Sequence, residues 1–401
     1  MSTSALYHTF SLSDLQHLGT IEGENSIILR ARPLKRIHFC SKCSSKKIIY
    51  KGKRLKSFWL PRIGSKKCIL EVEIPRLKCH NCQAIRWLKL PFADGKKRVT
   101  KAFAQFALEL LQFGTVKHVA KFLGVSWDTI KEIHKRHLRK TYRKIPYKEL
   151  RYLSIDEISL RKGHNYMTIV FDIETGRIIY AVEGRSSADI SPFLKRLRNK
   201  AKTLKAISID MSNAYIKAVK EQLPNVDVVF DHFHAVALMN KALDELRKEE
   251  FEMNRKAGYQ TLKGNRFLLL RNYESLDPLK RKGLGQLLQV NDRLARAYIL
   301  KEQFRMFWLK HHRKTAVRFF CQWALDVFES GIEPMIRACR TLIRYWEGLT
   351  NYFKHRISNG RAEGINNKIK TLKRQAYGFR DIEYFKLRLY HLHEQRYSFS
   401  G

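Results

Sequence analysis

Arg151-Tyr152-Leu153-Ser154-Ile155-Asp156-Glu157-Ile158-Ser159-Leu160 is the stretch that decides the fold. Leu153 and Ile155, and then Ile158 and Leu160, stand two positions apart, the period of a strand. Two more such runs follow, Tyr166-Met167-Thr168-Ile169-Val170-Phe171-Asp172 and Arg177-Ile178-Ile179-Tyr180-Ala181-Val182-Glu183, with Glu174-Thr175-Gly176 as the turn between them. The pattern then predicts a helix over 188–201, a strand over 205–210, a helix over 214–222 and a short strand over 226–230. Three strands, helix, strand, helix, strand is the order of an RNase H-like core.

Working outward, almost everything from 235 to 346 has helical periodicity. That is too long for a connection and predicts an inserted helical subdomain. Beyond it lies Ser358-Asn359-Gly360-Arg361-Ala362-Glu363-Gly364-Ile365-Asn366-Asn367-Lys368-Ile369-Lys370-Thr371-Leu372-Lys373-Arg374. As a helix it would place Asn359, Glu363, Asn366, Asn367, Lys370 and Arg374 on one face. Glu363 is the only carboxylate between Asn351 and Arg380, among eight Lys or Arg. A lone acid among cations and amides suits a metal ligand set against phosphates; a salt-bridged Glu on a solvated basic helix is the plainer alternative.

Upstream of the core, residues 30–67 carry fourteen Lys or Arg and no acid. In and after this run stand Cys40-Ser41-Lys42-Cys43 and Cys79-His80-Asn81-Cys82, separated by strand-like sequence. Four thiolates can close a tetrahedral zinc site with no open position for chemistry, so Cys40, Cys43, Cys79 and Cys82 are the expected ligands of one structural Zn²⁺ in a zinc ribbon. The 35 residues between the pairs exceed the commonest ribbon spacing. Cys68, His38 and His80 are alternative ligands, and Cys321 and Cys339 read as core residues. The first 29 residues carry no nameable chemistry. Between 98 and 144 the sequence is helical, and 116–131 has a helix-turn-helix pattern, with Gly124 at the turn and Ser126 as N-cap. Its second helix, starting near Trp127, presents Lys131, Lys135, Arg136, Arg139 and Lys140 for phosphates.

The formal net charge is +41, which would self-repel without a polyanion to neutralise it. No apolar run reaches the roughly 20 residues of a membrane span and no signal peptide is evident, so a soluble, cytoplasmic protein with no membrane partner is expected. Two Cys-x-x-Cys pairs among seven cysteines favour metal over disulfides.

Phosphodiester chemistry calls for two divalent ions held by carboxylates from different elements. Asp156 lies mid-strand on the first core strand and Asp210 ends the fourth; in an RNase H-like sheet these strands are neighbours. Glu363 arrives on its helix after the insertion. Glu157 points to the opposite strand face, Asp172 borders a turn, and Asp231 is the strongest rival to Asp210.

These residues resemble the ISL-three family of bacterial insertion-sequence transposases, which carry an Asp-Asp-Glu triad. The resemblance spans nearly the whole chain. It rests on the two cysteine pairs, the helix-turn-helix, Ser154 to Ile158, Ile209 to Tyr215, Phe230-Asp231-His232-Phe233-His234, the 358–374 stretch, Tyr377-Gly378-Phe379-Arg380 and Phe385. It implies that Asp156, Asp210 and Glu363 are the first, second and third acids and hold two Mg²⁺ or Mn²⁺ ions. It implies that Asp231 and His234 support the site rather than act in it, and that Asn366, Lys370, Lys373 and Arg374 meet DNA. The implied activity is hydrolysis at the element's ends and attack of the freed 3′-OH on target DNA, with zinc ribbon and helix-turn-helix binding the terminal inverted repeats. A homodimer or higher oligomer on double-stranded DNA follows, because two ends must be brought together. A regulator that binds DNA without chemistry, and a nuclease that cuts without joining, are the alternatives. The expected architecture is therefore α/β and multidomain: a zinc ribbon over 1–95, a helix-turn-helix over 96–148, an RNase H-like core over 149–234, a helical insertion over 235–350, and a closing segment over 351–401 with the third acid.

Overall fold

The computed structural model describes residues 5–93, 98–160, 165–256, 266–357 and 360–394. The chain is a mixed α/β protein of two compact units: Met1–Arg143 with Gln375–Gly378 and Glu394–Gly401, and Lys144–Arg374 with Phe379–His393.

In the first unit, α1 (Ala5–Phe10) leads into an antiparallel hairpin, β1 (Leu15–Glu22) and β2 (Ser26–Pro33). The sequence reading gave this region no role; here it extends a sheet. A long hairpin follows, β3 (Ile48–Ile63) and β4 (Lys66–Cys79), then a short β5 (Ile85–Trp87). The order is β1-β2-β4-β3, with β5 also on β4 and β2 running parallel to β4. In β4, Cys68, Leu70, Val72 and Ile74 are buried while Glu71 and Glu73 are half-exposed, the alternation of a one-sided sheet. Ile49 to Leu55 of β3 are instead all exposed.

Three helices complete the unit: α2 (Lys101–Leu110), α3 (Val116–Leu123) and α4 (Trp127–Thr141). Each starts where a hydroxyl can cap it: Thr100, Thr115 and Ser126 accept from the backbone N–H of Phe103, His118 and Thr129. Gly124, at φ 70°, ends α3 in the left-handed conformation that a Cβ disfavours. Phe103, Ala107, Val119, Leu123, Ile130 and Ile133 form their shared core.

The second unit opens with β6 (Tyr152–Ser159), β7 (Tyr166–Asp172), β8 (Ile178–Glu183), α5 (Ser187–Lys200), β9 (Ala206–Ile209), α6 (Asn213–Gln222) and β10 (Asp227–Phe230). The sheet order is β10-β9-β6-β7-β8; β6, β7 and β8 are antiparallel, and β9 runs parallel to both β6 and β10. Next come α7 (His232–Lys256), α8 (Arg266–Leu270), α9 (Pro278–Gln289), α10 (Asp292–Trp308), α11 (Arg313–Glu329), α12 (Glu333–Arg344) and α13 (Trp346–His355), then α14 (Gly360–Gln375) and α15 (Ile382–Tyr390).

Helices cover both faces of this sheet. Leu153, Ile155, Val170 and Ile207 pack with α5, α6 and the helices that follow β10. Ile158, Met167, Ile169 and Phe171 pack with Ala362, Ile365, Ile369 and Leu372 of α14 and Phe385 and Leu389 of α15. Burial on both sides is why β7 is almost wholly apolar. The apolar residues of α14 recur at three- and four-residue spacing and form one stripe against the sheet. The helices return to the sheet through α13: Asn351 Nδ2 donates to the Val228 carbonyl at 2.9 Å, and Lys354 Nζ and His355 Nε2 each lie 2.6 Å from Asp227 Oδ2. Cys339 is buried as expected, but Cys321 is exposed and not part of the core.

Candidate active site and nucleic-acid interface

Alternation along β6 sends Asp156 to the α14 face, with Ile158, and Glu157 to the opposite face. Asn366 Nδ2 donates to Asp156 Oδ2 at 2.8 Å, and the backbone N–H of Glu157 donates to Asp156 Oδ1 at 2.7 Å. Asp210 follows β9, and the parallel register Ser154↔Ser208, carried on two places, sets the two aspartates level. Burial foremost, with the charge of Asp210 adding to it, holds the Asp156 carboxyl above the usual carboxylate range. His234 Nε2, from the first turn of α7, lies 2.8 Å from Asp210 Oδ1, and that bond foremost raises the imidazole above its ordinary value. Asp231 is buried and caps the same helix, accepting from Phe233 N at 3.3 Å.

Glu157 reaches the other face: Tyr215 Oη donates to its Oε1 at 2.9 Å, and Thr168 Oγ1 lies 2.9 Å from the same hydroxyl. Tyr215 is buried in the first turn of α6, five residues beyond Asp210, so its hydroxyl ties β6 and β7 to the segment that bears Asp210. Sequence reading missed this tie; the only signal for it was the tyrosine inside the run that follows Asp210.

Glu363 is exposed on α14, one turn before Asn366 on the same side, and makes no hydrogen bond or ion pair among the described residues. Asn359, expected on this face, lies outside the described residues. Asn366 was expected to meet DNA; its amide instead engages Asp156. Lys373 Nζ donates to the Ser159 carbonyl at 2.6 Å, while Lys370 and Arg374 are exposed. The donor set fits a divalent cation. A half-buried carboxylate with a second beside it has only the His234 imidazole to offset two charges, and Asn366 Oδ1 is a buried acceptor without a hydrogen-bond partner among the described residues.

The four cysteines meet at the open end of the β3–β4 hairpin. One pair precedes β3 and the other ends β4, which accounts for the 35-residue gap: the hairpin fills it. The two knuckles are alike. Ser44 and Gln83, each following the second cysteine, have φ of 59° and 54°. The first cysteine's N–H bonds to the carbonyl of Ser45 in one and Ala84 in the other, at 2.8 and 3.0 Å. All four sulfurs lie within 4.8 Å of one another, with Cys40–Cys82 and Cys43–Cys79 at 3.5 Å. Sulfurs about 2.3 Å from one tetrahedral ion stand about 3.8 Å apart, so the cluster fits zinc. Backbone N–H groups of Lys42 and Cys43 lower the Cys40 thiol to about 6, favouring the thiolate a metal needs. Cys68 is buried in the sheet and His38 bonds Tyr50 Oη at 2.7 Å; neither joins the cluster.

In the helix-turn-helix, Trp127 is exposed at the start of α4. Lys131 lies over its ring at 4.9 Å and pairs with Asp128 at 3.2 Å. Lys135, expected to grip phosphate, is 7% exposed and has protein partners of its own, so it does not present its charge to a duplex. It follows Ile133 and His134 into the buried side of α4, a placement that the run of basic residues concealed.

Residues 153–389 match a family model described as a transposase, and residues 88–138 match the helix-turn-helix domain of transposase family ISL3. The transposase of insertion sequence element IS1001 from Bordetella parapertussis is 31% identical over 89% of this chain and 89% of its own length. That of IS1557 from Mycobacterium tuberculosis is 27% identical over 88% and 85%. The chain belongs to the ISL3 family of transposases. In solved structures, a Drosophila P element transposase strand transfer complex aligns over 76% of this chain and 93% of its own at 10% identity, with a TM-score of 0.37. Family membership makes the chain a DNA transposase of the DDE type with a helix-turn-helix that binds DNA, and DDE transposases use divalent metal. Among the described residues no helix is long and apolar enough to cross a membrane.

Proposed function

We propose that this ISL3 transposase cleaves the ends of its element and joins the freed 3′-OH to target DNA, with Asp156, Asp210 and Glu363 as the metal-binding triad. The observation that carries this reading is the pairing of Asp156 with α14: Asn366, one turn from Glu363, already grips Asp156, which stands level with Asp210 on the adjacent strand. The sheet order β10-β9-β6-β7-β8 and its strand directions support an RNase H-like core, for which the helices between β10 and α14 would be an insertion. Two Mg²⁺ or Mn²⁺ ions bound there would lower the pKa of attacking water or hydroxyl and stabilise charge on the leaving oxygen.

The chain's own residues divide the remaining work. Asn366 and the Glu157 N–H orient Asp156, and His234 fixes one oxygen of Asp210, leaving the second free for a cation. Lys370 and Arg374, exposed on the face of α14 that bears Glu363, would hold the phosphates flanking the scissile bond. Cys40, Cys43, Cys79 and Cys82 would hold one zinc ion that fixes the ribbon fold, while Trp127 and Lys131 lead the helix-turn-helix into the terminal repeat. A dimer or higher assembly would pair two ends.

The test is strand transfer with end DNA and Mg²⁺ or Mn²⁺, using Asp156→Asn, Asp210→Asn and Glu363→Gln. Each should abolish joining while leaving end binding intact. Joining that survives in Asp156→Asn or Glu363→Gln removes the triad; cleavage without joining in the unaltered protein favours the nuclease; binding without either favours the regulator.

A further inference from the structure

Arg54, Arg76 and Trp87 form an exposed cluster near the zinc end of the long hairpin, on three adjacent strands. The Arg54 guanidinium lies 4.2 Å from the Trp87 ring centre and that of Arg76 lies 5.9 Å from it. Neither guanidinium has a carboxylate partner among the described residues. Stacking on an indole restrains two long side chains in advance, so less rotamer entropy is lost when their N–H groups meet an anion. The surroundings are crowded with positive charge. Lys56 is driven below the usual lysine range, by burial first and then by Arg54 and Arg98. Such a cluster is stabilised by a dense line of negative charge, which a DNA backbone supplies.

The far end of the same hairpin is fixed to the helix-turn-helix. Arg62 Nη1 donates to the Phe122 carbonyl at 2.6 Å and its guanidinium lies 5.4 Å from the Phe122 ring centre. Trp59 exchanges backbone bonds with Arg98 and Thr100 at 2.8 and 3.1 Å. A Cβ on Gly124, the turn of the motif, would come within 2.4 Å of Lys67 Cε. The β strands thus make a stiff spacer. At about 3.3 Å per residue, the eight to eleven residues from the cluster to Arg62 span roughly 26 to 36 Å. One turn of B-DNA is about 34–36 Å.

We infer that the Arg54–Trp87–Arg76 cluster is a second contact with the DNA backbone, held by the hairpin close to one helical turn from its junction with the helix-turn-helix. This rests on the reading that the first unit binds the element's ends, and it adds where the second contact falls. The contact is to phosphates and reads no bases. It explains the length of the hairpin, which a structural zinc site alone does not require.

The experiment is hydroxyl-radical footprinting of the full chain on a duplex carrying the end of its element, with binding measured across salt concentrations. The unaltered protein should protect two blocks about one turn apart. Arg54→Ala with Arg76→Ala should lose the block distal to the helix-turn-helix and keep the other, with the slope of log affinity against log salt falling by about 2. Trp87→Ala should weaken the same block. Zinc content of each variant, unchanged, establishes that the ribbon is intact. A single protected block in the unaltered protein, or a double variant that keeps both blocks and its full salt slope, overturns the inference while end binding stands. So does equal loss of both blocks with zinc retained. An unaltered protein that protects nothing overturns the end-binding reading and this one with it.

Discussion

Gly348 lies on α13 against the ring of Phe230, the last residue of β10. A Cβ built there would stand 2.3 Å from Phe230 Cε2, 2.4 Å from Cδ2 and 2.9 Å from Cζ. Carbon atoms pack comfortably at about 3.5–4.0 Å, so Gly348→Ala demands a displacement of more than an ångström. The ring cannot swing away: Phe230 is 3% exposed and its other neighbours include Tyr345, edge-on at 5.3 Å. Helix α13 must back off instead, and with it the Asn351 bond to Val228 and the Asp227 contacts of Lys354 and His355. Overpacking of this kind costs about 1–3 kcal/mol, and the loosened bonds place the expectation at the upper end. For a unit of this size each kcal/mol lowers the melting temperature by about 2–4 °C, so a fall of about 5–10 °C is expected by calorimetry. Strand transfer should suffer as well, because Phe230 leads directly into Asp231 and His234. Gly364→Ala is the control. It sits exposed in α14 with nothing within 4 Å of a new Cβ among the described residues, and should gain about 0.5–1 kcal/mol. A melting temperature for Gly348→Ala within a degree of the unaltered protein would refute the packing argument.

Four other outcomes are expected. Tyr215→Phe removes the hydroxyl between Thr168 and Glu157, and should cost about 1–3 kcal/mol on chemical denaturation and raise the metal concentration needed for half-maximal joining; unchanged metal dependence would leave the tie purely structural. Metal analysis should find one zinc ion per chain, lost in Cys79→Ala and kept in Cys68→Ala, whose thiol lies apart in the sheet; zinc retained by Cys79→Ala would exclude the four-cysteine site. Burial pushes the Asp227 carboxyl up, but Lys354 and His355 outweigh it and leave its pKa lowered. Stability from this group is therefore complete above the unfolded value near roughly pH 4 and is lost as pH falls through the lower folded value. Asp227→Asn should melt below the unaltered protein at neutral pH, with the gap closing in that acid window; a gap independent of pH would discount the ion pairs. Finally, His234→Ala should reduce joining yet leave end binding unchanged, since His234 touches Asp210 and belongs to a different unit from the helix-turn-helix; equal loss of both would point to misfolding.

The core strands were legible because each buries one or both faces, and burial writes itself into sequence as alternation or an apolar run. Asp156 stood out for the same reason, as a charge inside such a run. The helix cap at Ser126 and the turn at Gly124 are local effects, visible without any knowledge of the fold. What escaped depends on contacts distant in sequence. Asn366 and Asp156 are 210 positions apart, and nothing local distinguishes an asparagine that grips a carboxylate from one that faces DNA. Lys135 looked like its neighbours Arg136 and Arg139; only the packing of α4 makes it buried. The reverse error befell Cys321, an apolar residue type in a helical run that lies on the exposed side of α11.

Helices α7 to α13 leave the sheet beside Asp210 and rejoin it along β10. The run departs through α7, whose first turn carries His234 onto Asp210, and returns through α13, which clamps β10 by Asn351, Lys354 and His355. Only then does the chain reach α14, whose apolar stripe seats Asn366 over Asp156. Each aspartate is thus held by a residue from a helix that opens or follows this run, His234 of α7 and Asn366 of α14. A displacement of α7 would act first on Asp210, and a displacement of α14 first on Asp156. The two would be felt separately unless β9 and β6 moved together, and the parallel pairing of those strands, with Tyr215 bridging behind them, is what couples the two carboxylates. The helices between β10 and α14 are therefore tied to the sheet at both strand ends: α7 beside Asp210, and the end of α13 at Asp227 and Val228, level with the start of β9.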